Sequence, residues 1–270
     1  MSDSAPQPVL YLGDTALGAA AAYLAGVMHR AGIAFDYCPS GEKIGEALRA
    51  DERRLIILSD YAASQFTDEQ HRALADSVLT GTGLLMIGGW DSYHGQGGHW
   101  QATPIAELLP VTISDRDDRI NHDQAAYLRR QHDHPTVAGL PWDDRPPAVG
   151  GYNRFRVKPE HPGVRRVLDV ARRGMRRVGE GFQLASMVID PMLVVAEGTN
   201  GRGRVACLAT DAAPHWVGPF VDWGTDNDDG PSIAGRVKCH APGAFEVEVG
   251  VCYARFFTQL VRWTAALEDK

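Results

Sequence analysis

Short unbroken apolar runs alternate with longer stretches of helical spacing over the first ~90 residues, the pattern of strands and helices taking turns. Val9-Leu10-Tyr11-Leu12 reads as a strand, Gly13-Asp14 as a turn, and an Ala-rich helix follows from about Thr15 to Ala31. Ile33 to Tyr37 predicts a second strand and Ile44 to Arg49 a short helix. Leu55-Ile56-Ile57-Leu58 has no polar alternation, as expected of a strand covered by helices on both faces, and Ser59-Asp60-Tyr61 closes it. Thr67, with Asp68 and Glu69 behind it, is an N-cap with an acidic first turn; it opens a helix to about Thr80, which Gly81 and Gly83 stop. A fourth strand, Gly83 to Ile87, ends abruptly in Gly88-Gly89-Trp90-Asp91-Ser92-Tyr93-His94-Gly95. This alternation predicts an α/β protein with a parallel sheet.

The middle of the chain, about 100–180, is less regular. It contains Pro104, Pro110, Pro135, Pro141, Pro146, Pro147, Pro159 and Pro162, and predicts only short strands near Val111-Thr112-Ile113 and from Tyr152 to Val157, an elaboration on the core. From Met187 the pattern sharpens into a hairpin, Met192 to Ala196 and Arg204 to Ala209, joined through Gly198-Thr199-Asn200-Gly201. A polar segment, Asp222 to Gly235, precedes a closing amphipathic helix. There Tyr253, Phe256, Phe257, Leu260, Val261 and Trp263 recur at helical spacing and read as core. No repeat or low-complexity linker divides the chain, so residues 1–270 are read as one domain.

In an open parallel sheet, ligands bind beyond the C-terminal ends of the strands. Asp14, Asp60 and Asp91 each follow such an end, which puts three carboxylates on one edge. They repel unless a cation or a ligand hydroxyl shares the space, but no Mg²⁺ or Ca²⁺ spacing is present and no metal site is assigned. A Gly-rich elbow of this kind carries Ser or Cys at its tip when it houses a nucleophile; here the tip is Trp90, either a stacking wall for a ring or sugar or a plug in the pocket. Asp91 and His94 are residue types that exchange protons near neutral pH, and Ser92 and Tyr93 lie between them. The plainer reading of Asp14, Asp60, Asp91 and Ser92 is local capping of turns. Thr210-Asp211-Ala212-Ala213-Pro214-His215-Trp216 follows the second hairpin arm and adds His215 to the catalytic candidates and Asp211 and Trp216 to the ligand-binding ones. His122-Asp123 and His132-Asp133-His134 look like metal ligands but lack further ligands at a recognisable spacing. Asp222, Asp226, Asp228 and Asp229 lack the Gly and closing Glu of a calcium loop, and read as a solvated loop over the site.

Composition narrows the partners. With 34 acidic and 27 basic residues the net charge is −7, which excludes a general attraction to nucleic acid or an anionic membrane. Arginines cluster at Arg165-Arg166 and through Arg172-Arg173-Gly174-Met175-Arg176-Arg177, read as a solvated charged face. No apolar stretch approaches the ~20 residues that span a bilayer, and Met1-Ser2-Asp3-Ser4 opens no signal pattern, so a cytoplasmic protein is expected. Cys38, Cys207, Cys239 and Cys252 have no C-x-x-C spacing and read as reduced, buried thiols. No motif requires a cofactor. The aromatic C-terminal helix, with Trp216, Phe220 and Trp223, offers apolar surface for a homo-oligomer.

Tyr11-Leu12-Gly13-Asp14, Ile57-Leu58-Ser59-Asp60-Tyr61, Gly83 through Trp90, and Asp211 through Trp216 together resemble the class I glutamine amidotransferase-like superfamily, in a branch without the nucleophilic cysteine. The resemblance implies a flavodoxin-like three-layer sandwich with a mostly parallel sheet. It also implies a Cys at the elbow and a late His-x-Glu pair in active members; here Trp90 matches the Cys, and His215 is followed by Trp216 and Val217. The expectation is a protein without conventional glutaminase activity that binds a small polar molecule at the sheet edge. The alternative is a hydrolase in which Asp91, His94 or His215 activates water.

Overall fold

The computed structural model describes residues 7–224 and 235–267, with every side chain in them except those of Ala47, Gln124, Ala125, His215 and Val217. In chain order the strands are β1 (Val9–Gly13), β2 (Phe35–Cys38), β3 (Leu55–Ser59), β4 (Gly83–Ile87), β5 (Val111–Thr112), β6 (Arg119–Arg130), β7 (Ala148–Asn153), β8 (Arg156–Val157), β9 (Val164–Val178), β10 (Gly181–Ala196), β11 (Val205–Leu208), β12 (Arg236–Cys239) and β13 (Val247–Gly250). The helices are α1 (Ala22–Arg30), α2 (Asp68–Leu79), α3 (Ile105–Leu108), α4 (Pro214–Val217) and α5 (Val251–Thr264).

A nine-stranded sheet in the order β2-β1-β3-β4-β11-β10-β9-β6-β7 organises the molecule. Its first five strands are parallel, in the flavodoxin-like order. β1, β3, β4 and β11 are buried along their whole length, which is why their sequences carry no polar alternation. The connections β1-α1-β2 and β3-α2-β4 step in opposite directions along the sheet. With right-handed crossovers, this puts α1 and α2 on opposite faces. α5 packs beside α1, burying Tyr253, Phe256, Phe257, Leu260 and Val261 in the core. Thr67 caps α2 in a reciprocal box with Gln70, as its sequence predicts.

Beyond β11 the sheet turns antiparallel, a continuation that the sequence pattern predicts only for the β10–β11 hairpin. β9 is a strand that the sequence reading does not predict and β10 is far longer than the expected Met192–Ala196; both run out past the C-terminal ends of the parallel strands, because Leu193 of β10 is already level with Leu208, the last residue of β11. α1 starts at Ala22 rather than near Thr15: Asp14 and Thr15 have φ of 52° and 62°, which no helix accommodates. Ile44 to Arg49 forms a single 3₁₀ turn at Gly45–Leu48. The aromatics expected to offer surface for self-association are interior instead: Trp216, Phe220 and Trp223 are buried. All four cysteines are buried and none is in a disulfide. No helix among the described residues is long and apolar enough to cross a membrane.

Candidate functional site

Three parallel strands finish at one edge, and each is followed within three residues by an aspartate: Asp14 after β1, Asp60 after β3 and Asp211 after β11. Asp14 and Asp60 sit in the left-handed region (φ 52° and 49°), which Asp tolerates better than most residues. Carboxylate oxygens of these three residues lie within 4.8 Å of one another. Asp14 and Asp211 are buried and Asp60 is half-buried, so the group meets solvent through Asp60.

Each carboxylate is held from behind. Asp14 accepts hydrogen bonds from the Tyr11 hydroxyl and, at 3.0 Å, from Ser59 Oγ. Asp60 Oδ1 accepts the Asp91 backbone N–H at 2.7 Å, while the Asp60 N–H donates to Ser92 Oγ at 2.9 Å. Asp211 Oδ1 accepts the Ala213 N–H at 2.8 Å. Burial, followed by the charges of Asp211 and Asp60, pushes the Asp14 carboxyl well above the ordinary range, which disfavours its charged form. Such a group can take a cation, an ammonium or ligand hydroxyls; hard oxygen donors of this kind suit Mg²⁺ or Ca²⁺.

The raised Asp14 pKa gives a testable sign. A carboxyl whose pKa is higher folded than unfolded contributes stability that is complete below the unfolded value and is lost as pH rises through the folded one. Asp14→Asn keeps an acceptor and suits the left-handed backbone. The variant should therefore match the natural protein near pH 4 and exceed it increasingly toward pH 8, by a few degrees of Tm, since roughly 1 kcal/mol moves Tm about 2–4 °C at this chain size. Melting curves across that range check it; a gap that does not widen with pH contradicts it.

The elbow after β4 crosses directly over this group. A Cβ on Gly89 would lie 2.1 Å from Asp60 Oδ1, so only glycine lets the chain pass between the carboxylate and Asn153, whose Oδ1 accepts the Gly89 N–H at 2.8 Å. Asp118 clamps the rest of the loop, accepting the N–H groups of His94 and Gly95 at 3.1 Å each and Asn153 Nδ2 at 2.7 Å. Burial pushes the Asp118 carboxyl up in spite of these bonds. Neither Asp118 nor Asn153 stands out in the sequence, where the first lies in a mixed charge run and the second in an unremarkable strand.

The other predicted site residues fall into several environments. Trp90 does not plug the cleft; it is 50% exposed, with the Arg119 guanidinium 4.6 Å from its ring centroid and Arg119 paired to Asp117 at 2.7 Å. Ser92 is buried as a structural acceptor for Asp60. Tyr93 points inward, its hydroxyl 3.0 Å from the carbonyl oxygens of both Met86 and Leu208. Trp216 is buried and donates its indole N–H to Asn121 Oδ1 at 3.0 Å. Asp91 and His94 turn to different partners. Burial raises the Asp91 carboxyl, opposed by Arg119 and His99, whereas His94 Nδ1 lies 3.0 Å from its neighbour's carbonyl, Gly95 O. His215 belongs to α4, directly after Asp211, and its side chain lies outside the described residues.

Asp211, rather than Asp91, completes the carboxylate trio. The histidine candidates are elsewhere: His134 packs against Trp263 with its pKa lowered to about 4 by burial, His132 bonds to Arg166 O, and His122 meets Arg172. Residues 225–234, including Asp226, Asp228 and Asp229 of the predicted covering loop, lie outside the described residues.

Five parallel strands in this order, with a glycine elbow after the fourth, define a flavodoxin-like α/β protein. The chain belongs to the glutamine amidotransferase-like family: the family model described as "Putative glutamine amidotransferase" matches residues 52–229. Two cytoplasmic proteins of Salmonella typhimurium have similar structures. STM3548 is 24% identical, with 77% of this chain and 89% of that chain covered and a TM-score of 0.60. STM1381, of strain LT2, is 25% identical, with 78% and 91% covered and a TM-score of 0.60. No curated protein matches the chain significantly.

Proposed function

We propose that this chain is a member of its family without conventional glutaminase activity, which holds a small polar molecule at the ends of the parallel strands. The observation that carries this reading is the convergence of Asp14, Asp60 and Asp211, whose carboxylate oxygens lie within 4.8 Å of one another at that edge. Thiolate chemistry has no foothold there: the elbow carries Trp90, and burial raises the pKa of each of the four thiols. A ligand that brings ammonium or hydroxyl hydrogens relieves the repulsion among the carboxylates and makes charge-assisted hydrogen bonds. The half-exposed Trp90 offers a ring face beside the same loop. A hydrolase using Asp91, His94 or His215 is favoured less, since Asp91 and His94 engage different neighbours.

Two measurements test the proposal. Incubation with glutamine should release no glutamate above the uncatalysed rate; release abolished by a thiol alkylator would overturn the first half. Thermal shifts against a panel of amines, amino acids and polyols should find a stabilising compound. At about 100-fold over its Kd a bound ligand adds ~2.7 kcal/mol, and that shift should vanish in Asp14→Asn. A shift that survives this substitution would move the ligand elsewhere.

A further inference from the structure

Most of the large apolar groups left uncovered among the described residues lie on the outer part of the β9–β10 hairpin, the others being Leu79, Trp90 and Phe245. Among the described residues the register of β6 with β9 runs as far as Ala171, and β6 side chains reach the base of the ribbon beyond it, Tyr127 at Ser186 and His122 at Arg172; farther out, from Met175 to Leu184, the register joins the two strands to each other. At ~3.3 Å per residue this ribbon projects more than about 20 Å past the strand ends. Cross-strand register and the twofold alternation of side chains put Met175, Leu184, Phe182 and Val188 on one face, together with Arg173 and Arg177. Met175, Leu184 and Phe182 are 66%, 56% and 70% exposed. A bare two-stranded ribbon is only marginally stable in water, and a monomer rarely displays such a face without covering it.

Charge identifies what covers it. Residues 171–188 hold four arginines and one glutamate, in a chain whose net charge is −7. The ribbon is thus a basic, apolar arm on an acidic body. It extends past the same strand ends as the carboxylate trio, which meets solvent through the half-buried Asp60. We infer that the arm docks on a second copy of this chain: two copies meet about a twofold axis, and each arm lies across the other's strand-end edge. The apolar face is buried and Arg173 and Arg177 are set against the partner's acidic groups. Such an exchange uses the same patch twice and closes, so it yields a dimer and not a fibre.

Light scattering coupled to size exclusion, at micromolar protein, tests the inference. The natural chain should run at twice its 29.4 kDa. Phe182→Glu with Leu184→Glu should raise the dimer Kd at least ~100-fold and give the single-chain mass, two central anchors being lost. Its Tm in dilute solution should not fall below that of the dissociated natural chain, because neither residue is in the core. Arg173→Glu with Arg177→Glu should weaken association at 0.1 M salt and flatten its salt dependence. A natural chain that stays at 29.4 kDa overturns the inference, and if that monomer floats with phosphatidylserine vesicles the arm is a membrane contact instead. A Phe182→Glu, Leu184→Glu variant that remains dimeric overturns it as well.

Discussion

Asp118→Ala is expected to release the elbow from the sheet and to cost roughly 3–5 kcal/mol, the range for stripping the partner from several buried polar groups at once. The carboxylate is almost wholly buried and satisfies three donors: the His94 and Gly95 N–H groups and Asn153 Nδ2. Alanine takes this acceptor away from all three donors at once. It also removes one of the bonds that orient the Asn153 amide, whose Oδ1 accepts the Gly89 N–H. The loss should be local before it is global. Amides of 88–98 should exchange with solvent much faster while those of β1, β3 and β4 remain protected, and urea unfolding should give the energetic cost. A change below about 1 kcal/mol, the worth of one ordinary hydrogen bond, would show that the clamp is incidental.

Gly13→Ala should be comparably damaging for a different reason. A Cβ at that position would sit 1.6 Å from Ser59 O, and Gly13 has a φ of +116°. β1 and β3 approach this closely because the residue has no side chain, and the approach brings the Asp14 N–H to 2.8 Å from Ser59 O. Alanine must push the strand ends apart and adopt a disfavoured backbone. The two costs add to roughly 3–5 kcal/mol, from overpacking and φ strain. Because the wedge sits beside Asp14, it should also draw Asp14 away from Asp60. The variant should then lose the rise in stability on acidification that Asp14 supplies. Equilibrium unfolding at pH 5 and pH 8 reads both effects, and an unchanged midpoint would refute the steric account.

The parallel half of the fold was legible because each strand there is an unbroken apolar run flanked by turn or cap residues, as with Leu55 to Leu58 before Ser59-Asp60, or Thr67 opening α2. Asp14 and Asp60 could be placed on one edge for the same reason, since a strand end fixes where the next residue lies. Asp91 reaches the same edge but not the trio: it lies four residues past the end of β4, and Gly88 and Gly89 carry the chain over Asp60, so that Asp91 presents its backbone N–H to Asp60 while its carboxyl faces Arg119 and His99. Asp211 takes its place from a strand whose partner, β4, lies far away in sequence.

The long hairpin was obscured by its own arginines. In Arg172-Arg173-Gly174-Met175-Arg176-Arg177 both faces of the ribbon carry charge, so no period of two survives, and the one local signal was the Gly179-Glu180 turn between Val178 and Gly181. Asp118 and Asn153 were invisible for a different reason: a clamp formed by residues brought together only in the folded chain leaves no spacing to read.

The pairing of β4 with β11 also sets an order of events. β2, β1, β3 and β4 can zip together using residues 9–87, but β11 cannot dock on β4 until residues 88–204 have been made and gathered. Closing so long a loop is slow, and until it closes β4 is an open edge of unbroken apolar sequence. Refolding from denaturant should therefore be slow and concentration-sensitive, with the chain at its most adhesive while the half-sheet waits for its fifth strand.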